Sequence, residues 1–519
     1  MLIHKKSNSV VLHLRDPEKI RAVIPKSKTV VHKGQSLVQV HYGLDEVKVL
    51  NNMGISVPSP IHHNYEWMGK YTPMKHQAST SAFFTLNPRS ICLNGMGTGK
   101  TISVLWAADY LMKLGKLKRV LIVCPMSTMH SVWQNEINTH FLFKRQCVVL
   151  HGTKERRLNL LGDPDAEFFI INHDGIKTIH KQLMERDFDC IVVDEAAAFR
   201  NASTQRYKLL EKLTDDAYWL WMLTGTPVPN SPTDAWALGK LLRNPGVPKY
   251  FTHFKEAVLT QVSPYKWVPK EDAYTTAYNI LQPGVRYTKK DCLDLPPVTF
   301  TMRECDLTKE QWKYYKEMQK ELVMSVGGAE ITAANAAVKL GKLMQICCGE
   351  VYDGDGGSVA IDAKSRMDAC NELVESAGNK TIVFVPFTAA LDRLAAFLRK
   401  KGHTVEVVDG RTSAGKRKKI FADFQEQPHP KVLVAHPKTT AHGLTLTAAD
   451  TTVWYAPVFS LEIFEQANNR MDRPGQTSHM TVAMLQGCKL EREIYAALSG
   501  RARMQDSMLH LYKEELTTT

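Results

Sequence analysis

The sequence predicts an α/β protein with two doubly wound parallel-sheet lobes, a helical insert between them and a small N-terminal α+β domain. Short, continuous apolar runs alternate with helical patterns from Tyr71 to about Pro229, and the alternation resumes over 366–498. Such runs are typical of parallel strands that are buried on both faces. Helical patterns dominate between these two stretches, and 519 residues are enough for about three domains.

Domain boundaries are placed where this pattern changes. At the N-terminus, strand-like alternation is combined with a helical pattern that ends at Gly54, which predicts a small α+β unit. The expected parts are the α+β domain over 1–66, lobe 1 over 67–230, the helical insert and linker over 231–365, lobe 2 over 366–498 and a C-terminal tail over 499–519. Two similar lobes in one chain usually bind a ligand in the cleft between them.

The composition is that of an ordinary globular protein and excludes disordered, collagen-like and small disulfide-rich chains. Hydrophobic residues make up 44% of the sequence and charged residues 23%. The 66 Lys and Arg residues exceed the 53 Asp and Glu residues, which gives a formal charge of +13. An excess of this size favours a polyanionic partner such as nucleic acid, because cationic side chains that neutralise phosphates release bound counterions.

The cysteines and the N-terminus predict the compartment. The ten cysteines include no CxxC pair, whereas a zinc site read from sequence needs ligands clustered at short spacing. The N-terminus lacks the apolar core of a secretory signal, and no apolar run approaches the ~18 residues that span a bilayer. We therefore expect a soluble intracellular protein without membrane contact, in the cytoplasm of a bacterial or virus-infected cell or in a nucleus.

A Gly-rich segment between a predicted strand and a predicted helix indicates a phosphate-binding loop. It reads Gly95-Met96-Gly97-Thr98-Gly99-Lys100-Thr101. Backbone N–H groups of such a turn surround phosphate oxygens, and the helix N-terminus adds partial positive charge. We expect Lys100 to reach the β- and γ-phosphates and the Thr101 hydroxyl to coordinate Mg²⁺. Position 94 carries Asn where the strict pattern has Gly.

An acidic pair follows a second apolar strand. Asp194 and Glu195 stand after Ile191-Val192-Val193, at the end of the strand where open α/β sheets bind ligands. Asp194 is suited to hold Mg²⁺ through water, and Glu195 is suited to orient and deprotonate an attacking water. A phosphate loop followed by an acidic strand in the same lobe predicts hydrolysis of a nucleoside triphosphate.

These motifs belong to an ordered set that resembles the Swi/Snf-type DNA translocases of helicase superfamily two, with features of the annealing-helicase or fork-remodelling branch. The resemblance runs from about Tyr71 to Leu498 and is most specific at TGTP (224–227) and QAxxRxxRxGQ (466–476). The other matching segments are MKHQ (74–77, Q motif), MGTGKT (96–101), LIVCP (121–125, motif Ia), DEAA (194–197, where the family has DEAH) and GLTLTAAD (443–450, motif V).

The resemblance implies two RecA-like lobes, ATP and Mg²⁺ as cofactors, and roles for individual residues. The implied nucleotide-binding residues are Gln77, Gly95, Met96, Gly97, Thr98, Gly99, Lys100, Thr101, Gly443 and Gln466. The implied catalytic residues are Glu195, Asp194, Lys100, Arg473 and Arg470, with Thr101 and Asp194 at the metal. The implied nucleic-acid contacts are Pro125, Ser127, Thr224, Lys438 and Thr439. A helical spacing of three is expected to place Arg470 and Arg473 on one face of a helix.

The leading prediction is a monomeric, ATP-dependent motor on duplex or branched DNA, serving fork remodelling, branch migration, annealing or protein displacement. Two alternatives remain: an RNA helicase or nucleic-acid sensor, and a non-catalytic nucleic-acid-binding scaffold. Residues 1–66 are predicted either to engage DNA or to cap lobe 1. Their basic side chains are His4, Lys5, Lys6, Lys19, Arg21, Lys26, Lys28 and Lys33.

Overall fold

The described residues fall into two units, Met1–Cys292 and Leu293–Met504, each built on a parallel sheet. The computed structural model describes the chain except for residues 15, 33–34, 143, 265, 327–332, 353–356, 441–444 and 503–519. The predicted α/β class is thus confirmed. No helix in the described part of the chain is long and apolar enough to span a membrane.

Residues 1–66 form a four-stranded antiparallel sheet with strand order β1-β2-β4-β3, in keeping with the predicted α+β character. Alternate residues of the central strands, such as Val10, Leu12, Val38 and Val40, are buried because successive side chains point to opposite faces. The elements are β1 Leu2–His4, β2 Ser9–Leu12, α1 Pro17–Val23, β3 Lys28–His32, β4 Gln35–His41, α2 Leu44–Asn52 and α3 Ile61–Asn64.

This small sheet lies against the rest of the first unit. Leu44 joins the apolar cluster of the large sheet, and the hydroxyls of Ser59 and Thr85 are 2.7 Å apart. The Lys116 ammonium lies 2.7 Å from the Asp45 carboxylate. Residues 1–66 therefore cover apolar surface of lobe 1, as a structural cap does.

The large sheet of the first unit has seven parallel strands in the order β13-β5-β10-β9-β6-β8-β7. Its central strands are buried on both faces, as their continuous apolar sequences predict. The strands are β5 Arg89–Cys92, β6 Val120–Cys124, β7 Cys147–Val149, β8 Phe168–Asn172, β9 Cys190–Asp194, β10 Trp219–Leu223 and β13 Gly284–Val285. The helices are α4 Lys75–Leu86, α5 Lys100–Lys113, α6 Asn135–Phe141, α7 Lys154–Leu161, α8 Gly175–Glu185, α9 Gln205–Asp215, α10 Ala235–Leu242, α11 Phe251–Val258, α12 Ala273–Ile280 and α13 Lys289–Cys292.

The structure divides the segment 231–365, expected as one helical insert, between the two units. Residues up to Cys292 pack on lobe 1 and include an exposed hairpin of β11 (Leu259–Ser263) and β12 (Lys266–Pro269). They also include β13, which extends the large sheet by pairing with β5. A two-residue edge strand leaves too short an apolar run to be recognised in the sequence.

The second unit contains a six-stranded parallel sheet in the order β14-β21-β20-β17-β19-β18 and a separate hairpin, β15-β16. Its strands are β14 Val298–Glu304, β15 Glu350–Tyr352, β16 Ser358–Ala360, β17 Lys380–Phe384, β18 Val405–Val408, β19 Val432–Ala435, β20 Ala449–Trp454 and β21 Met480–Gln486. Its helices are α14 Lys309–Val326, α15 Ala333–Cys348, α16 Lys364–Ser376, α17 Thr388–Lys400, α18 Ala414–Glu426 and α19 Leu461–Asn468, and residues 489–502 are also helical.

Two helical glycines give opposite stability predictions. A Cβ at Gly239 in α10 would lie 2.8 Å from Val247 Cγ2 and 2.9 Å from the Ile280 carbonyl oxygen, whereas no described atom lies within 4 Å of one at Gly341 in α15. We expect Gly239→Ala to destabilise the first unit by about 1–3 kcal/mol through overpacking. Gly341→Ala should stabilise the second by about 0.5–1 kcal/mol, because alanine loses less backbone entropy. Calorimetric unfolding measures both, and a stabilising Gly239→Ala would contradict the packing described here.

Candidate functional site

Three predicted motifs leave the large sheet of the first unit at the same level. Leu223 of β10 pairs with Cys92 of β5 on one side and with Asp194 of β9 on the other. The phosphate loop, residues 224–227 and the acidic pair therefore emerge side by side at the carboxyl edge of three neighbouring strands. Open α/β sheets bind their ligands at this edge.

The phosphate loop turns into helix α5 through two glycines with left-handed backbones, Gly97 (φ +79°) and Gly99 (φ +82°). Gly99 caps the N-terminus of α5, where unpaired N–H groups and the helix dipole favour an anion. The Lys100 ammonium donates to the carbonyl oxygens of Asn94 (3.0 Å) and Gly95 (3.1 Å), so it already lies within the turn. Thr101 follows in the first turn of the helix and is half-buried.

Helix α4 fixes the loop from outside. The Nε2 atoms of His76 and Gln77 donate to the Thr98 carbonyl oxygen at 2.8 and 3.3 Å. The Gln77 Oε1 atom accepts from the Met74 amide, so both ends of this side chain are used locally. A Cβ at position 99 would lie 2.2 Å from Gln77 Nε2. Glycine is therefore required at position 99 by the backbone angle, and a side chain there would also displace the Gln77 amide that bonds to Thr98.

Asn94 has a structural role that sequence reasoning missed. It is buried, donates from Nδ2 to the Thr80 hydroxyl (2.9 Å) and accepts at Oδ1 from the Tyr287 amide (2.8 Å). The neighbouring Arg286 donates to the Leu93 carbonyl oxygen (2.6 Å). Asparagine thus joins the loop to α4 and to the segment after β13. Its partners lie 14 and 193 residues away, so only its departure from the glycine pattern marked it in the sequence.

The Asp194 carboxylate is held by two donors. Trp133 Nε1 donates to Oδ2 and the Glu195 amide donates to Oδ1, each at 3.0 Å. Burial raises the pKa of Asp194 above its ordinary value, opposed by the Trp133 bond, the Lys100 charge and the Glu195 amide. Additional positive charge beside this carboxylate would favour its ionised form.

Glu195 has a strained backbone. Its φ of +51° and ψ of +52° lie in the left-handed region, which costs a side chain-bearing residue of order 1–3 kcal/mol. Such strain is concentrated at functional sites. The following 3₁₀ turn, Ala196–Phe199, buries Ala197, which stands where related helicases have histidine. His173, at the end of β8, instead contacts the Asp194 carbonyl oxygen at 2.9 Å.

Residues 224–227 lie beside the phosphate loop. A Cβ at Gly225 would lie 3.6 Å from Met96 Cγ, in ordinary van der Waals contact. Thr224 is buried, and its hydroxyl accepts from the Thr226 amide at 3.2 Å. Pro125 is also buried. Of the three residues in lobe 1 predicted to contact nucleic acid, the structure thus exposes Ser127 only.

In the second unit, the expected helical arrangement of Arg470 and Arg473 is wrong. Helix α19 ends at Asn468, and both arginines lie in the turn that follows. Arg470 is buried and donates from Nε to the Gln466 carbonyl oxygen (2.9 Å). Arg473 is half-buried and donates from Nε to the Asn469 carbonyl oxygen (3.1 Å). The two guanidinium groups therefore have different surroundings.

The remaining predicted residues of lobe 2 are placed as follows. Gln466 is buried on α19, with Nε2 at 3.5 Å from the Glu462 carboxylate. Lys438 is exposed, and the Thr439 hydroxyl donates to the His436 carbonyl oxygen at 2.6 Å. Gly443 lies outside the described residues.

The fold and the site define a class of protein with two parallel-sheet units, the first of which carries a phosphate loop and an acidic pair at adjacent strand ends. Residues 64–351 match the family model of the SNF2-related domain, and residues 365–475 match the helicase conserved C-terminal domain. The first match alone covers more than half of the chain. The chain therefore belongs to the SNF2-related family, which confirms the resemblance found in the sequence.

The relatives include larger proteins and a phage protein. The chain is 25% identical over 444 residues to chromodomain-helicase-DNA-binding protein 1-like of Danio rerio, covering 80% of this chain and 42% of the relative. It is 24% identical over 417 residues to the ISWI chromatin-remodeling complex ATPase ISW1 of Saccharomyces cerevisiae (76% and 36% coverage). It is 25% identical over 431 residues to putative protein p41 of Acyrthosiphon pisum secondary endosymbiont phage 1 (79% and 91%).

The chain thus spans less than half the length of the chromodomain-helicase relatives it matches. Among solved structures, it is similar to the Sulfolobus solfataricus SWI2/SNF2 ATPase core in complex with double-stranded DNA. The sequence identity is 23%, the TM-score is 0.42, and the match covers 85% of this chain and 93% of that one.

The phosphate loop should not tolerate a side chain at position 99. We expect Gly99→Ala to weaken binding of a fluorescent nucleoside triphosphate at least about tenfold, the equivalent of 1.4 kcal/mol. Gly115→Ala is the matched control, because Gly115 also has a left-handed backbone (φ +68°) but no described atom within 4 Å of its Cβ. Equal affinities for the two variants would show that the Gln77–Gly99 approach does not shape the nucleotide site.

Proposed function

We propose that the chain hydrolyses ATP and uses the energy to move along DNA. The observation that carries this proposal is the common register of Cys92, Leu223 and Asp194, which brings the phosphate loop, residues 224–227 and the acidic pair to one edge of the sheet. Membership of the SNF2-related family supports it. Relatives described as ATP-dependent helicases and as a chromatin-remodeling ATPase support it further.

The predicted site residues of lobe 1 have distinct roles in this proposed hydrolysis. The turn at Gly97 and Gly99 directs backbone N–H groups at the phosphates, and Lys100 exchanges its bonds to loop carbonyls for bonds to the β- and γ-phosphates. Glu195 orients the attacking water and accepts its proton. Gln77 is proposed to recognise the adenine, for which it must exchange its local bonds to Met74 and Thr98.

A magnesium ion fits the donor set beside the loop. Thr101 offers a hydroxyl in the first turn of α5, and Asp194 offers a carboxylate already oriented by Trp133. Oxygen ligands of this kind are those that Mg²⁺ prefers, together with substrate phosphates and water. Held by Thr101 and Asp194, such an ion would supply positive charge against the phosphate oxygens.

DNA is the polyanion that the family relationship and the charge favour. The excess of 13 positive charges suits contacts to phosphates, and such contacts carry little sequence information. The candidate contacts are the exposed Ser127 and Lys438, the half-buried Thr439 and the buried Thr224 and Pro125. The proposed substrate is duplex or branched DNA. The motor would serve fork remodelling, branch migration, annealing or protein displacement on it.

The function is tested by ATP turnover with duplex DNA, forked DNA, single-stranded DNA and RNA. We expect duplex or forked DNA to stimulate turnover most. Lys100→Ala should abolish binding and turnover, whereas Glu195→Gln should keep ATP bound and reduce turnover by about 10²–10⁴-fold. Glu185→Gln, an exposed substitution on α8, is the control.

Preferential stimulation by RNA would instead support an RNA helicase or a nucleic-acid sensor. DNA binding without any turnover would support a scaffold. Near wild-type turnover in Glu195→Gln would show that another group activates the water.

Arg473 is proposed as the arginine that stabilises the transition state. It is half-buried, whereas Arg470 is enclosed and holds the carbonyl oxygen of Gln466. We expect Arg473→Ala to leave ATP affinity nearly unchanged and to lower kcat by about 10³-fold. Arg492→Ala, which removes only a surface ion pair with Glu304, is the control. Equal losses of ATP affinity and kcat would assign Arg473 a binding role.

Residues 1–66 are proposed to help the motor engage DNA in addition to covering lobe 1. Lys26 and Lys28 are exposed and adjoin the edge strand β3. We expect the double substitution Lys26→Ala, Lys28→Ala to weaken DNA binding and to reduce the slope of log K against log salt by up to about 1.8. Lys400→Ala, Lys401→Ala is the charge-matched control in lobe 2. An unchanged slope would indicate that residues 1–66 cover lobe 1 and do not contact DNA.

A further inference from the structure

Two thiols and a carboxylate meet in the interior of the second unit. Cys347 lies in the last turn of α15, Cys488 follows β21, and Glu491 lies in the helical residues 489–502. The sulfurs are 3.6 Å apart, and Cys488 Sγ is 3.8 Å from Glu491 Oε2. One donor atom from each residue can be chosen so that all three lie within 4.8 Å of one another. Among the described residues, this is the one group of three or more His, Cys, Asp or Glu side chains whose ligand atoms lie close enough together to bind a metal ion.

The sulfur separation suits a shared metal ion better than a disulfide. Two thiolates bound to zinc at about 2.3 Å in tetrahedral geometry are about 3.8 Å apart. The observed 3.6 Å needs almost no rearrangement to reach that arrangement. A disulfide would need the sulfurs to approach to about 2.05 Å, which requires them to move together by about 1.5 Å.

The carboxylate has a free oxygen. Glu491 is fully buried, and its Oε2 accepts from Arg366 Nη2 (2.6 Å) and from the Gly487 amide (2.7 Å). Its Oε1 is buried and has no hydrogen-bond partner among the described residues. More than about 90% of buried polar groups in native proteins are satisfied by protein, water or an ion. The carboxylate that adjoins Cys488 through Oε2 therefore has one buried acceptor left for a ligand.

The charges also balance when a divalent cation is present. Arg366 and Glu491 form a buried ion pair of zero net charge. A cation M²⁺ that binds both thiols releases two protons, M²⁺ + 2 RSH → M(SR)₂ + 2 H⁺, so the buried group remains neutral. A buried site avoids a large desolvation penalty only if its charges are compensated in this way.

We propose that Cys347, Cys488 and Glu491 bind one thiophilic divalent cation of the zinc class. Tyr315 packs in the same buried cluster as Cys347 and Cys488, and its hydroxyl is the candidate for the fourth ligand. The ion fastens the C-terminal end of α15 to the segment that follows β21. Closed, four-ligand sites of this kind stabilise folds rather than catalyse reactions. Cys347 and Cys488 are 141 residues apart, so their spacing in the sequence does not suggest a site.

The proposal is tested on the full chain after metal removal with a chelator under reducing conditions. Titration with Co²⁺ should produce a thiolate-to-cobalt charge-transfer absorption that saturates at one equivalent per chain and disappears when Zn²⁺ is added. Elemental analysis of the zinc-loaded chain should give one tightly held zinc. Thermal unfolding should occur at a higher temperature with Zn²⁺ than with chelator.

Cys488→Ser should weaken zinc binding at least about 100-fold. Substitution of residues that only support metal ligands already weakens binding by about 10–100-fold, and Cys488 is itself a proposed ligand. Cys370→Ser, which removes a buried thiol of α16 outside the cluster, should leave zinc binding unchanged. The wild-type titration needs no variant and remains decisive if Cys488→Ser fails to fold. Absence of the cobalt absorption, or an absorption that persists in a folded Cys488→Ser variant, would overturn the proposal.

Discussion

The common register of β5, β10 and β9 is the constraint on which the site depends. Leu223 faces Cys92 and Asp194 across its two neighbours, so all three strands end at one level. A slip of one residue would turn Asp194 to the opposite face of the sheet, because side chains alternate along a strand. The strands are apolar on both faces, so an alternating pattern does not specify this register.

The phosphate loop is held from outside by side chains that do not bind phosphate. Asn94 ties its start to Thr80 and Tyr287, and His76 and Gln77 tie Thr98 to helix α4. A loop fixed in this way loses little conformational entropy when a ligand binds. The conformation of Glu195 is also fixed by its surroundings, because a strained left-handed backbone persists only where the surrounding structure imposes it.

The sequence predicted the elements and motifs that depend on local pattern. Apolar runs marked the buried strands, and the glycines before Lys100 marked the turn between β5 and α5. The contacts that the sequence did not reveal join distant segments: Arg286 to Leu93, Asn94 to Tyr287 and Cys347 to Cys488. The end of α19 at Asn468 was also missed, because QAxxRxxRxGQ continues a helical spacing into a turn that bonds to residues 445–449.

That turn explains why two arginines three residues apart have different surroundings. The Leu446 amide donates to the Arg470 carbonyl oxygen, and Arg470 Nε donates to the carbonyl oxygen of Gln466, so Arg470 joins α19 to the segment before β20. The Thr445 hydroxyl of that segment accepts from Arg473 at 3.3 Å. Arg470 and Gln466 therefore help to hold the turn that contains Arg473. On a continuous helix, the two guanidinium groups would lie on one face, and this difference in their surroundings would be lost.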